Sequence, residues 1–249
     1  MLDADYFNAN TPFSSYRKSV WRVVESQEEV ATLSVVDDVE EQAMLESMLD
    51  DVKPAYRVET EGMHYLLKTA FRYPPLKWGS RFGTTLMPSY FYASEDRATA
   101  LCECAYYRFL FLQDMLEPYS EAIRSEYTVF SVSVASDNCL DLASEFFQPI
   151  WSKISAPSSY DCSQSIGSWS YERNDIEVIR FSSARYKEGS NVAVAEPKAI
   201  RSRTPTIEER WLCLTKPNIV SFSSRASEVS FVFPLTDFCD PSGVFLRVT

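Results

Sequence analysis

Residues 71–83 read Phe-Arg-Tyr-Pro-Pro-Leu-Lys-Trp-Gly-Ser-Arg-Phe-Gly, followed by Phe91-Tyr92-Ala93-Ser94 and by Ala100-Leu101-Cys102-Glu103. The Pro74-Pro75 pair and the Gly79 to Gly83 segment mark an irregular crossing. A short aromatic strand and then a helix follow it, and this loop, strand and helix in succession set the class of fold. The same stretch sets the chemistry. Guanidinium forks suit phosphates, and aromatic faces suit a nicotinamide or adenine ring. A carboxylate placed among them can stabilise an oxocarbenium-like sugar cation, as breaking an N-glycosidic bond requires. Together these groups suit a flat anionic ligand and exceed what a core needs.

Downstream, a helix is expected over about 95–116, capped by Ser94 with Glu95 and Asp96 in its first turn. Leu101, Ala105, Phe109, Leu112 and Leu116 make its core stripe. Glu103 falls about 200° from Leu101 and so faces solvent or a cleft. Alternation over Tyr127–Val134 predicts a strand, as do Ile176–Phe181 and, past a turn at Gly189, Asn191–Ala195. Residues 155–174, rich in Ser, Tyr and Trp, predict a loop or short helix over the site. Strands near 211–214, 219–222 and 229–233 complete the chain. Upstream, Asp38 and Glu41 open an acidic helix with Leu45, Met48, Leu49 and Val52 at helical spacing, ended before Pro54. Tyr56–Thr60 reads as a strand, and Val20-Trp21-Arg22-Val23-Val24 as one short strand in an extended arm. With no repeats or linkers, the expectation is one α+β unit: a mainly helical N-terminal extension over 1–53 and a main domain over 54–249 that carries the candidate site.

Composition narrows the function. The 249 residues carry a net charge of −11 with 45% hydrophobic residues and 6 glycines, so the chain is globular and offers no electrostatic footprint for nucleic acid or an anionic membrane. No apolar run reaches the roughly 18 residues of a span. Met1-Leu2-Asp3-Ala4-Asp5 lacks the pattern of a signal peptide, and a cytoplasmic location is expected. Six cysteines show no C-x-x-C pair and read as free thiols. His64 is the only histidine, and nothing around it fits a nucleophilic triad or an H-E-x-x-H metal site. Neither G-x-G-x-x-G nor a P-loop is present, so a Rossmann or P-loop nucleotide site is excluded.

Arg81, Tyr92, Glu103 and Ser183 in that order, with Arg57 upstream and Phe181-Ser182-Ser183-Ala184-Arg185 leading to Asn191-Val192-Ala193-Val194, resemble the RES-domain family over roughly residues 38–198. Ser182 departs from the pattern, standing where proline is expected. The resemblance implies a compact fold similar to ADP-ribosyltransferases and a toxin of a RES–Xre toxin–antitoxin module that consumes NAD by hydrolysis or phosphorolysis. It also implies a helix-turn-helix Xre-type antitoxin as partner, and NAD as substrate without a further cofactor or metal. Carried over residue by residue, Arg57 and Arg81 clamp the pyrophosphate and Tyr92 stacks on nicotinamide. Ser183 bonds the carboxamide or ribose, and Glu103 stabilises the developing cation. Arg72, Arg185 and Asn191 are further NAD-contact candidates. Taken singly, each has a plainer reading: Glu103 as a solvated helix charge, Arg72 and Arg185 as structural ion pairs, Tyr92 as core and Ser183 as a turn former. An ADP-ribosyltransferase acting on one host protein, or a non-catalytic binding module, would carry the same residues.

Overall fold

The computed structural model describes residues 5–26, 36, 38–75, 77–117, 121–224, 226 and 228–248; Leu76 of the quoted loop and the opening Met1–Ala4 lie outside them. In chain order the elements are β1 (Ser14–Glu25), α1 (Val39–Asp51), α2 (Tyr65–Lys68), β2 (Phe91–Ser94), α3 (Arg97–Gln113), β3 (Ile123–Asp141), α4 (Trp151–Ile154) and α5 (Asp161–Arg173). β4 (Val178–Ser182), β5 (Ser190–Val194), β6 (Ile207–Lys216), β7 (Ile219–Ser224) and β8 (Val229–Pro234) follow. The strands form one sheet in the order β1-β2-β5-β4-β3-β6-β7-β8, and β1 also pairs with β3. That extra pairing joins β1, β2, β5, β4 and β3 into a ring, from which β6, β7 and β8 extend. The chain is a single α+β unit.

β3 organises this ring because its 19 residues are long enough to serve three partners. Its length pairs antiparallel with β1, from Ser14 opposite Cys139 to Glu25 opposite Tyr127, with an irregularity between Ser14 and Tyr16. Its first half pairs with β6, and its final residues run parallel to β4. Alternating Val20, Phe130, Val132, Val134, Val178, Val192 and Val194 fill one core with Phe91. A second core joins Phe82, Phe181 and Ile179 to Ile166 of α5. In a third, α3 packs Leu101, Ala105, Tyr106 and Phe109 onto Trp211, Cys213 and Phe222.

Several expectations change. The expected short strand near Val20 is 12 residues long and belongs to the central sheet, so the described part of the region before residue 53 contributes a sheet strand as well as the helix α1. α1 forms as expected, with Asp38 accepting from the Glu40 and Glu41 N–H groups at 2.8 Å. Its apolar side chains nevertheless stay outside the core: none is buried, and Met48 and Val52 are exposed. Tyr56–Thr60 is not a strand; a short 3-10 turn over Val58–Thr60 replaces it, closed by the Thr60 hydroxyl donating to the Arg57 carbonyl. α3 is capped by Asp96, which accepts from Thr99 N–H at 2.8 Å, and Ser94 is instead the last residue of β2. α3 ends at Gln113, leaving Leu112 half-buried and Leu116 fully exposed beyond it. The 155–174 region forms α5, ended by Asn174 in the left-handed conformation (φ 56°).

Candidate active site

A cavity of about 330 Å³ opens where β1, β2, α3 and the β4–β5 connection meet. Glu103, in the second turn of α3, reaches its wall. One carboxylate oxygen, Oε1, accepts both from Ser183 Oγ at 2.6 Å and from Asn191 Nδ2 at 2.7 Å. The other, Oε2, has no hydrogen-bond partner among the described residues. Two neutral donors on one oxygen fix the plane of the group without neutralising it. The carboxylate is thus oriented with one oxygen left over, an arrangement a solvated helix charge does not need.

Ser183 is more committed than its sequence role implies. Its hydroxyl gives its proton to Glu103 and accepts from the Arg185 and Tyr186 N–H groups at 3.1 and 3.0 Å. One donor and two acceptor sites are all a hydroxyl has. Ser183 therefore has no capacity left for a carboxamide or ribose, and its place is beneath Glu103. The turn predicted at Gly189 forms, with Gly189 N–H bonded to the Tyr186 carbonyl and Glu188 as its left-handed residue (φ 67°).

Asn191 lines the cavity with both ends of its amide engaged within the protein: Nδ2 donates to Glu103 and Oδ1 accepts from Ser94 Oγ at 2.6 Å. Sheet register explains the meeting, since Asn191 stands opposite Ser94 of β2 and Phe181 of β4. Tyr92, also on the wall, shares a hydrogen bond with Ser80 Oγ at 2.9 Å and accepts from Phe82 N–H at 3.0 Å. Burial pushes its hydroxyl up to about 12, so it stays a proton donor at neutral pH. Tyr92 thereby ties the arginine loop to β2 as well as offering its ring.

The guanidinium groups gathered at the cavity are Arg22, Arg81 and Arg185. Arg81 is buried, donates from Nη1 to the Ile154 and Ala156 carbonyls at 3.2 Å, and lies 4.9 Å from the centre of the Tyr160 ring. Arg185 lies 3.5 Å from the centre of the Tyr106 ring, and its buried Nη2 has no partner among the described residues. Arg22, from β1, donates to the Tyr92 carbonyl at 2.5 Å and stands over Phe91. Burial lowers it to about 10, which leaves it protonated at neutral pH.

Two expected contacts fall elsewhere. Because Val58–Thr60 is a turn, Arg57 is directed to the Ala195 carbonyl (3.3 Å), Glu59 and Glu196 (3.6 and 3.7 Å), beside a different cavity. Arg72 tethers α1, donating to the Pro54 carbonyl at 2.5 Å and to Asp50 at 3.3 Å, with its guanidinium over Tyr56. Arg57 and Arg81 thus do not meet at one cavity; Arg22 lines it with Arg81 instead. Trp21, Arg22, Ser94, Tyr107, Tyr160 and Phe181 are wall residues that sequence reading did not select. The available signal was Arg22 itself, a cation inside the apolar run Val20–Val24.

Among the described residues, no group of three or more His, Cys, Asp or Glu is placed to hold a metal ion, and none of the six cysteines forms a disulfide. Burial raises the Cys102 and Cys104 thiols, the latter to about 12, which keeps them protonated. No described helix is long and apolar enough to cross a membrane.

A search among curated proteins returned no match. Among solved structures, the crystal structure of the M. tuberculosis MbcT–MbcA toxin–antitoxin complex is similar at 10% identity and a TM-score of 0.43, covering 89% of this chain and 87% of that one. A family model described as RES domain matches residues 54–214, nearly two thirds of the chain and inclusive of Arg81, Tyr92, Glu103, Ser183 and Asn191. β1, with Trp21 and Arg22, precedes the matched segment. The chain belongs to the RES-domain family.

Proposed function

We propose that this protein cleaves the nicotinamide–ribose bond of NAD, as a glycohydrolase or phosphorylase, and serves as the toxin of a toxin–antitoxin module. The observation that carries the reading is the state of Glu103: Oε1 held by Ser183 and Asn191, Oε2 without a hydrogen-bond partner among the described residues, in a cleft walled by aromatic rings and three guanidinium groups. Nicotinamide in NAD already bears a positive charge and leaves as a neutral molecule. No general acid is needed, and none of histidine type stands on the wall. As the C–N bond lengthens, positive charge grows on the ribose, and a fixed carboxylate stabilises that charge without reorganising. Arg22, Arg81 and Arg185 supply charge-assisted contacts for the pyrophosphate, each contributing roughly 1.5–3 kcal/mol. The cavity is at the small end of the range of roughly 300–1,000 Å³ for ligand sites, which suits the nicotinamide–ribose end of the dinucleotide.

Water or phosphate would then capture the cation. The purified protein should release nicotinamide from NAD, giving ADP-ribose in phosphate-free buffer and, for a phosphorylase, a phosphorylated ADP-ribose when phosphate is added. Turnover should survive a chelator, since this leaving group requires no Lewis acid. Nicotinamide release accompanied by label on a protein acceptor would move the assignment to ADP-ribosyl transfer; no release would remove it. Uncontrolled NAD loss is toxic, and the family resemblance supplies the remedy as an Xre-type antitoxin that closes the cleft. The chain's net charge of −11 leaves DNA binding to that partner.

A further inference from the structure

The two donors on Glu103 are held in different ways. Ser183 is fixed by two backbone N–H groups. Among the described residues, Asn191 has only a side chain to orient it: its Oδ1 accepts from Ser94 Oγ at 2.6 Å, both residues being buried, 5% and 3% exposed. A primary amide has nearly the same shape when turned by half a revolution, but its donor and acceptor change places. Turned, Asn191 would set a carbonyl oxygen against Glu103 Oε1, two acceptors face to face. Ser94 ends β2 directly opposite Asn191 in the β2–β5 register, so its hydroxyl is delivered to the amide by the sheet itself.

We infer that Ser94 is a positioning residue that acts through Asn191. By anchoring Oδ1 it keeps Nδ2 on Glu103, so both donors land on Oε1 and Oε2 alone faces a ligand. This rests on the reading of Glu103 as the group that stabilises the sugar cation. Without Ser94, the buried Oδ1 loses its partner, and the contact to Glu103 alone no longer holds the amide in its plane. Glu103 then has Ser183 as its one firmly held donor, and its terminal torsion, which has broad minima, is less tightly fixed. Dinucleotide binding through arginines and rings is untouched, whereas the group needed as charge develops is misaligned. The loss therefore falls on kcat rather than KM.

The test is a kinetic cycle of Ser94→Ala, Asn191→Ala and the double variant, read as nicotinamide release. Ser94→Ala is expected to lower kcat by about tenfold with KM within about twofold. In the Asn191→Ala background the same change should add nothing, because the path it acts through is gone. Additive losses, or a raised KM at unchanged kcat, overturn the inference. A crystal structure of Ser94→Ala decides it without turnover: the Asn191 amide should have turned off Glu103, and a persisting contact near 2.7 Å overturns it. Equal activity of wild type and Glu103→Gln would instead show that the reading of Glu103 has failed, and the crystallographic comparison would still decide the role of Ser94.

Discussion

Gly167 in α5 offers a severe test of how the arginine loop is held, because the helix backbone there touches the loop directly. A Cβ on residue 167 would lie 1.7 Å from the Phe82 carbonyl oxygen, 2.6 Å from its carbon and 3.0 Å from its Cα. These are backbone atoms of the residue after Arg81, and no side-chain rotation relieves them. Bringing the oxygen contact from 1.7 Å to the 3.0 Å that real Cβ atoms respect requires the loop or the helix to retreat by about 1.3 Å. Phe82 is fully buried and its N–H is tied to Tyr92, so that movement is resisted. Gly167→Ala gains up to about 1 kcal/mol of helix propensity. Overpacking of this kind costs about 1–3 kcal/mol and here falls at or above the upper end. The net destabilisation of about 2 kcal/mol or more corresponds to roughly 4–8 °C or more in Tm for a chain of this size. Displacement of Arg81 by about 1 Å should also lower kcat/KM for nicotinamide release by about 10²-fold. Thermal melting and an NAD turnover assay on the same sample measure both. A Gly167→Ala protein with unchanged Tm and unchanged turnover would refute the claim that this contact places Arg81.

Ser183→Ala should lower kcat by about tenfold or more while leaving KM near the wild-type value, since its saturated hydroxyl acts on Glu103 and not on ligand; a selective rise in KM would return Ser183 to direct substrate contact. Glu95 supplies the pH dependence. Burial works to raise its carboxyl, but hydrogen bonds from Arg180 at 2.7 Å and Lys18 at 2.6 Å hold it below the ordinary value. A depressed carboxyl stabilises the fold above its unfolded-state value and loses that contribution as pH falls through the folded value. Wild-type Tm should therefore drop on acidification below about pH 4.5. Glu95→Gln should start lower at neutral pH and show a shallower acid limb in melts followed by circular dichroism; identical limbs would remove Glu95 from the account.

What the sequence disclosed is what lies close together along it. Arg81, Tyr92 and Glu103 follow one another through a loop, a strand and a helix, so their order alone brings them to one wall. Ser183 was legible as a partner in the same site, but its saturation by the Arg185 and Tyr186 N–H groups was not, because only the folded turn delivers them. Arg22 and Ser94 were missed because sheet register brings them in: β1 pairs with β3 more than 100 residues away, and β2 meets β5 at Asn191. No local pattern encodes those pairings. Arg57 was misplaced for the opposite reason. The strand-like string Tyr56–Thr60 is overridden by a local Thr60 to Arg57 hydrogen bond, which turns the chain and sends the guanidinium to Ala195. Leu116 fits the helical period, yet α3 stops short of it.

The central claim is that the charge on Glu103 is what breaks the nicotinamide–ribose bond, and Glu103→Gln tests it most directly. The amide keeps the size of the side chain and removes its charge, so the fold should persist, checked by Tm and solubility. Nicotinamide release from NAD should fall by at least about 10²-fold. A folded Glu103→Gln protein that releases nicotinamide at near wild-type rate would contradict the account.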